Sequence, residues 1–275
     1  MPISIQQHKS DGSFLAHSTT NNALCAEFEF KVQPIVHPKS GAVFAYEVLS
    51  HVSDSSGEHL YSEDFFEEID NQFLQQLFLT QIEYLRPHII EHGALLSFNI
   101  PLVCLNDDEF VNTLVQLIDF PIAIEVTCAQ LTLNCSGLAQ NVKKLRSHGI
   151  QMWLDDYNHK DKSKTHALQY FRWDAIKLDK TYLLYHDNDE IICMLTELLG
   201  LYASLIIVEG IETAYQHILH LCPNLLMQGY FYYYPMDVKL AIPLFKEHHS
   251  DYNESLQSLA KRPKPTSSAI DFTIE

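Results

Sequence analysis

Acidic residues close a succession of short apolar runs in this chain: Glu47 in AVFAYEVL, Glu125 in IAIEV, Asp155 and Asp156 in IQMWLDD, and Glu209 in LIIVE. Asn99 ends ALLSFN, Lys177 lies in AIKLD, and Gln228 follows LLM in the same way. Alone, each would be a salt-bridge, capping or loop hydrogen-bonding residue. Gathered at one mouth, five carboxylates repel one another strongly in a low-dielectric site unless cations or protons relieve them. The adjacent pair in LDDYNHK (154–160) poses that problem most sharply. An all-oxygen donor set favours hard cations such as Mg²⁺, Mn²⁺ or Ca²⁺, and Asp155 and Asp156 could each serve one of two ions. Two metals roughly 3.5–4 Å apart suit attack of an activated water on a phosphodiester. Lys177 would then orient the water or offset charge on the phosphorane; its structural alternative is an ion pair with a neighbouring carboxylate.

Something must bring these residues together. Eight β-rich runs alternate with amphipathic stretches: 27–36, 42–49, 94–100, 122–126, 150–156, 175–179, 205–209 and 225–229. Helical periodicity fills 62–91, 107–118, 137–148, 187–203, 213–222 and 237–247, the first of these with Phe66, Ile69, Phe73, Leu77 and Leu85 near one face. Repeated strand–helix alternation predicts a (βα)8 TIM-like barrel, whose site lies at the C-terminal ends of the strands. Only HPKSG (37–41) separates the first two strands, so they should form an antiparallel hairpin.

The totals narrow the partners. Among 275 residues, 18 lysines and arginines face 35 acids, a formal net charge of -17. That argues against broad contact with double-stranded nucleic acid or an anionic membrane, although bound metal ions would reverse the local sign for a small phosphorylated ligand. No run reaches the roughly 18 apolar residues of a membrane span, and MPISIQQHKS does not read as a signal peptide. Six cysteines (25, 104, 128, 135, 193 and 222) form no CxxC pair and are expected to be reduced in a cytoplasmic protein. The expected division is a flexible N-terminal extension over 1–26, the barrel over 27–248, and a partly disordered tail over 249–275.

QPIV (33–36), YEVLS (46–50), SFNI, IEVT, LDDYN, IKLD, VEGIET and QGYFYYYP follow one another at a spacing that resembles the EAL domain of bacterial cyclic di-GMP phosphodiesterases. The resemblance covers roughly residues 27–247. It implies a barrel whose first strand is antiparallel, and hydrolysis of cyclic di-GMP to linear pGpG with Mg²⁺ or Mn²⁺. On it, Glu47, Asn99, Glu125 and Asp155 resemble ligands of a first metal, and Asp156 and Glu209 those of a second. Glu209 is also a candidate general base, Lys177 stands beside the attacking water, and Gln228 belongs to the same inner shell. Gln33 and Glu212 match positions near the substrate, and the family admits a homodimer.

The chain departs from the family pattern at several places. Val48 replaces an alanine and is expected to fill the barrel interior. His51 replaces an arginine, which weakens a cationic contact to a ligand phosphate. The paired aspartates are followed by Tyr157, Asn158, His159 and Lys160 in place of Phe-Gly-Thr-Gly, and Cys128 stands where a bracing glutamate is expected. The loop should therefore take another path, with Asn158 best able to adopt a left-handed conformation. Lys160, Lys162 and Lys164 either supply the charge missing at His51 or form a solvated loop. YFYYYP (230–235) either stacks on purines or packs between barrel and last helix. Three functions follow: a metal-dependent phosphodiesterase; a sensor that binds cyclic di-GMP or a protein without turnover; and an unrelated barrel enzyme that abstracts a proton beside a carboxylate.

Overall fold

The computed structural model describes residues 3–7, 12–18, 24–67, 69–127, 136–184, 190–222 and 225–247. Its strands are β1 (Ile3–Gln7), β2 (Ser13–Ser18), β3 (Leu24–Val36), β4 (Val43–Asp54), β5 (His59–Leu60), β6 (Leu96–Pro101), β7 (Ile122–Thr127), β8 (Gln151–Tyr157), β9 (Trp173–Leu178), β10 (Ala203–Val208), β11 (Leu225–Met227) and β12 (Met236–Asp237). Eight of them close a barrel in the order β3-β4-β6-β7-β8-β9-β10-β11 and back to β3. From β4 onward the barrel strands run parallel, while β3 is antiparallel to both its neighbours. The six-residue connection after β3 (37–42) is too short for a crossover, which is why this first pair is a hairpin.

The β3–β4 ribbon is longer than the barrel is tall. Its overhang carries β5 on one edge and the β1–β2 hairpin on the other, so parts of residues 1–26 extend the sheet without entering the barrel. Phe14, Phe28, Phe30 and Val52 on that overhang pack against Phe65 of α1 (Ser62–Glu67) and Phe73 and Leu77 of α2 (Asn71–His92). The periodicity over 62–91 runs through two helices rather than one. Asp70 interrupts it, accepting a hydrogen bond from the Phe73 amide at 2.8 Å and so starting α2 afresh.

The remaining helices are α3 (Asp108–Leu117), α4 (Ser136–Ser147), α5 (Lys162–Ala167), α6 (Glu190–Leu199), α7 (Ala214–Leu219) and α8 (Val238–Glu247), with 3₁₀ turns at Leu102–Asn106 and Lys180–Leu184. The large core lies between the sheet and these helices. Val48 belongs to that outer core beside Val32, Phe78 and Phe98, not to the barrel interior: Glu47 points inward, so its neighbour on a period-2 strand must point out.

Two cysteine expectations change. Cys193 on α6 and Cys222 just after α7 form a disulfide, with Cα atoms 5.5 Å apart, so these two are not reduced core residues. Cys104 is a buried free thiol whose pKa is pushed up to about 12 by burial and then by Asp107; Cys25 is also free. Cys128, Cys135 and the 249–275 tail lie outside the described residues. No described helix is long and apolar enough to cross a membrane.

Candidate metal centre

Layering inside the barrel explains why the sequence-predicted residues meet. Ile35, Ala45, Ala123, Trp153, Ala175, Ile207 and Leu226 form an apolar plug, with Ser97 as its polar member. Two residues further along each parallel strand, on the same face, come Glu47, Asn99, Glu125, Asp155, Lys177, Glu209 and Gln228. β3 runs the other way, so its contribution to the upper layer, Gln33, precedes Ile35 instead of following it. Trp153 and the aliphatic plug thus form a dry floor beneath eight polar side chains.

Lys177, only 1% exposed, stands at the centre. Its Nζ lies 3.0 Å from Glu47, 2.5 Å from Glu125, 3.2 Å from Asp155 and 2.7 Å from Glu209. Burial alone would lower its pKa; the charges of Asp155, Glu125, Glu209 and Glu47 more than reverse this and hold it well above the usual lysine range. Glu47 accepts hydrogen bonds from Asn99 Nδ2 at 3.0 Å and Gln228 Nε2 at 2.7 Å. Burial would raise its pKa, but Lys177 and these donors outweigh it and keep Glu47 below the usual range. Ser97 Oγ donates to the other carboxylate oxygen of Glu125. Glu125 is pushed well above its ordinary value by burial and then by the charge of Glu47. Burial also raises Glu209 well above its ordinary value, Lys177 opposing it, and moves Asp155 to about 6 with Asp156 and Glu47 adding to the rise.

Adjacent strand residues ordinarily face opposite sides, yet Asp155 and Asp156 serve one site. The cause is a bulge: β8 pairs with β9 at Leu154↔Ile176 and next at Tyr157↔Leu178, so three steps on one strand oppose two on the other. Asp156 takes φ 49°, the one positive φ outside glycine among the described residues, in a region that disfavours L-residues by about 1–2 kcal/mol. The left-handed residue is therefore Asp156 and not Asn158. The bulge brings carboxylate oxygens of Asp155, Asp156 and Glu209 within 4.8 Å of one another. Glycines continue the chain past two of the site residues. A Cβ on Gly210 (φ 72°) would lie 2.8 Å from the Lys180 Cβ, and one on Gly229 (φ 153°) would lie 2.1 Å from the Ile211 carbonyl oxygen.

The donor set fits hard divalent cations. Five carboxylates against one ammonium leave five minus one, or four, negative charges when all are ionised, which two divalent ions would neutralise. Gln228 Oε1 is buried without a hydrogen-bond partner, an acceptor held in readiness beside Glu47. Gln33 accepts from Gln228 at 3.1 Å and donates to the Tyr233 carbonyl at 3.0 Å, joining the cluster. Glu212 does not join it; it is exposed, and its backbone amide donates to Gln216 at 2.8 Å. Ser97 is the member sequence reasoning missed, although it lies two residues before Asn99 and so faces the same interior.

Above the layer, the 157–160 loop is fastened to the 3₁₀ turn after β9. Asn158 Nδ2 donates to Thr181 at 2.9 Å, and the His159 amide donates to Tyr182 Oη at 2.8 Å. Lys160 and Lys162 are exposed, while Lys164 Nζ donates to the Asp156 carbonyl at 2.7 Å, so the three lysines do not act as one group. His51 stacks on His59 with ring centroids 4.2 Å apart, and burial, then His59, lower its pKa. It is a poorer cation than arginine near neutrality. Within YFYYYP, Tyr232 and Tyr233 pack on the core while Tyr230 and Tyr234 are exposed and stack on each other at 4.5 Å.

A family model described as "EAL domain" matches residues 18–235, well over half of the chain. No curated protein sequence matches it. Among solved structures, the EAL enzyme Bd1971 in its cAMP-bound form is similar at 19% identity and TM-score 0.67, over 80% of this chain and 66% of that one. BlrP1 of Klebsiella pneumoniae, solved as a manganese/cyclic di-GMP complex, matches at 19% identity and TM-score 0.61, over 86% of this chain and 59% of that one. The FimX EAL domain of Pseudomonas aeruginosa, bound to cyclic di-GMP, matches at 17% identity and TM-score 0.62, over 76% of this chain and 90% of that one. At these identities the likeness establishes the fold, and the chain corresponds to only part of Bd1971 and BlrP1.

Proposed function

The chain belongs to the EAL domain family, and from that premise we propose that it hydrolyses cyclic di-GMP to linear pGpG in a reaction that needs Mg²⁺ or Mn²⁺. The observation that carries this reading is the complete polar layer, five carboxylates with Asn99 and Gln228 around Lys177. Glu47, Asn99, Glu125 and Asp155 would hold one cation and Asp156 and Glu209 the second, and bound there the ions acidify a water and neutralise phosphate charge.

The chain's own groups do the rest. Glu47, kept ionised by Asn99, Gln228 and Lys177, supplies fixed negative charge. To Glu209, whose carboxylate lies among those of Asp155 and Asp156, we assign the proton of the attacking water. Water oxygen bonds to phosphorus, the bond from phosphorus to the 3′ oxygen breaks, and that oxygen takes a proton from solvent while Glu209 returns the water's proton to solvent, giving one 5′ phosphate and one 3′ hydroxyl. Lys177 stabilises the charge on the phosphorane, and the plug closes the site from beneath. We assign Gln33, Gln228 and Glu212 to substrate contact, Glu212 from an exposed position. We assign this activity to the cytoplasm and admit a homodimer.

The test is direct. Incubated with cyclic di-GMP and Mg²⁺ or Mn²⁺, the protein should release pGpG on chromatography, and Glu47→Ala should release none. The lowered pKa of His51 and the altered 157–160 loop favour a second reading, binding without turnover. Calorimetric affinity for cyclic di-GMP with no linear product under either metal would establish it in place of the first.

A further inference from the structure

The bulge at Asp155–Asp156 raises a question that the carboxylates themselves do not answer: what holds Asp156 in a left-handed conformation? A non-glycine residue there is strained and persists only where its surroundings over-determine it. The ladder does not do this, because the β8–β9 register skips both aspartates between Leu154↔Ile176 and Tyr157↔Leu178. The backbone of Asp156 is instead gripped from outside the sheet. Lys164 Nζ, on α5, donates to its carbonyl oxygen at 2.7 Å. The helix that presents Lys164 is itself fixed at its start, where Asp161 accepts hydrogen bonds from the Ser163 and Lys164 amides at 2.8 and 3.4 Å.

We propose that Lys164 is a positioning residue for the Asp156 side of the metal centre: its bond to the Asp156 carbonyl fixes the bulged peptide that turns the Asp156 carboxylate toward Asp155 and Glu209. The role rests on reading the cluster as a two-cation site, but not on the identity of the substrate. It also assigns Lys164 a task different from its neighbours. The ammonium group works as a hydrogen-bond donor to one backbone atom, not as general positive charge for a ligand phosphate. Groups that orient a metal ligand without touching the metal typically change affinity by roughly 10- to 100-fold when removed.

Mn²⁺ binding to the full chain, followed by calorimetry and by electron paramagnetic resonance without any dinucleotide, tests this. The wild type should take up two Mn²⁺ ions. Lys164→Met should leave one of the two sites within a factor of about two and weaken the other by roughly 10-fold or more. Lys164→Arg, which keeps a cationic donor, should recover most of that loss and guards against a folding defect in the methionine variant. Lys162→Met, which removes an exposed charge two residues away, should bind like the wild type. The proposal is overturned if Lys164→Met titrates like the wild type, if Lys162→Met weakens the second site equally, or if the wild type takes up no Mn²⁺. Absence of pGpG release alongside the expected Mn²⁺ pattern would remove the phosphodiesterase reading and leave the role of Lys164 standing.

Discussion

Replacing Lys177 with methionine should unsettle the metal-free protein more than any other single change in the barrel. At separations of 2.5–3.2 Å the lysine attracts each of its four carboxylate neighbours, by about 5–7 kcal/mol apiece at an effective dielectric near 20 if all are ionised. Desolvation and the repulsion among the acids cancel most of that sum. Truncations that leave a buried charge without its partner nonetheless destabilise by about 3–5 kcal/mol. For a domain of this size that is on the order of 10 °C in melting temperature. The pKa of Lys177 is raised, so its contribution is fully present below the unfolded lysine value and is lost only as pH rises through the folded one. At pH 8 the whole effect should appear. It should shrink toward pH 5, where Asp155, its pKa raised to about 6, takes up a proton and needs no counter-ion. Added Mn²⁺ should shrink it as well, because the ions neutralise the same carboxylates. Urea unfolding of wild type and Lys177→Met at pH 5 and pH 8, with chelator and with Mn²⁺, reads all four conditions. A loss that is equal in all four would refute the electrostatic account and reduce Lys177 to a packing residue.

Two further outcomes follow from the same geometry. Asp155 has its pKa raised to about 6, against 3.8 for the ordinary group; a raised carboxylate stabilises the fold while protonated and loses that advantage as pH climbs through the folded value. Metal-free wild type should therefore lose up to roughly 3 kcal/mol relative to Asp155→Asn between pH 4 and 7, at about 1.36 kcal/mol per unit, and unfolding curves that stay parallel across this range would contradict it. Cys193→Ser should lower unfolding stability by about 3–4 kcal/mol from loop-closure entropy, since the bond spans 29 residues that include β10 and Glu209; thiol titration in denaturant should show two additional thiols only after reduction, and an unchanged count would remove the disulfide.

The polar layer is legible in the sequence because strand period and strand end coincide: a run such as IAIE states both the fold and the site. Gln33 is the instructive case. It precedes its apolar partner Ile35 instead of following it, which only the antiparallel direction of β3 explains. Asp70 shows where periodicity misleads, since an apolar face continues across a helix break that a capping aspartate creates. Other features depend on partners distant in the chain or on backbone that periodicity cannot report. The bulge at Asp155–Asp156 depends on how β9 pairs alongside. The Cys193–Cys222 bond joins residues with no spacing motif. The inward or outward direction of Val48 follows from Glu47 by alternation, a rule that the idea of an interior filler overlooks.

The departures from the family pattern are not spread evenly through the barrel, and their distribution bears on turnover against binding. Gln33, Glu47, Asn99, Glu125, Asp155, Lys177, Glu209 and Gln228 are all present and, apart from the partly buried Asn99 and Glu209, buried. His51, His159 and Lys160 are exposed above that layer, while Tyr157 ends β8 buried in the outer core. A site that only binds would not need to hold Asp156 strained at φ 49° or to gather four carboxylates around one buried ammonium, both of which work against stability. Retaining strain of this kind makes sense where ions relieve it and chemistry uses it. On the proposed function, the altered rim would bear on how tightly the ligand is held: a cationic contact weakened at His51 would weaken ground-state and transition-state binding alike, raising KM and leaving kcat unchanged.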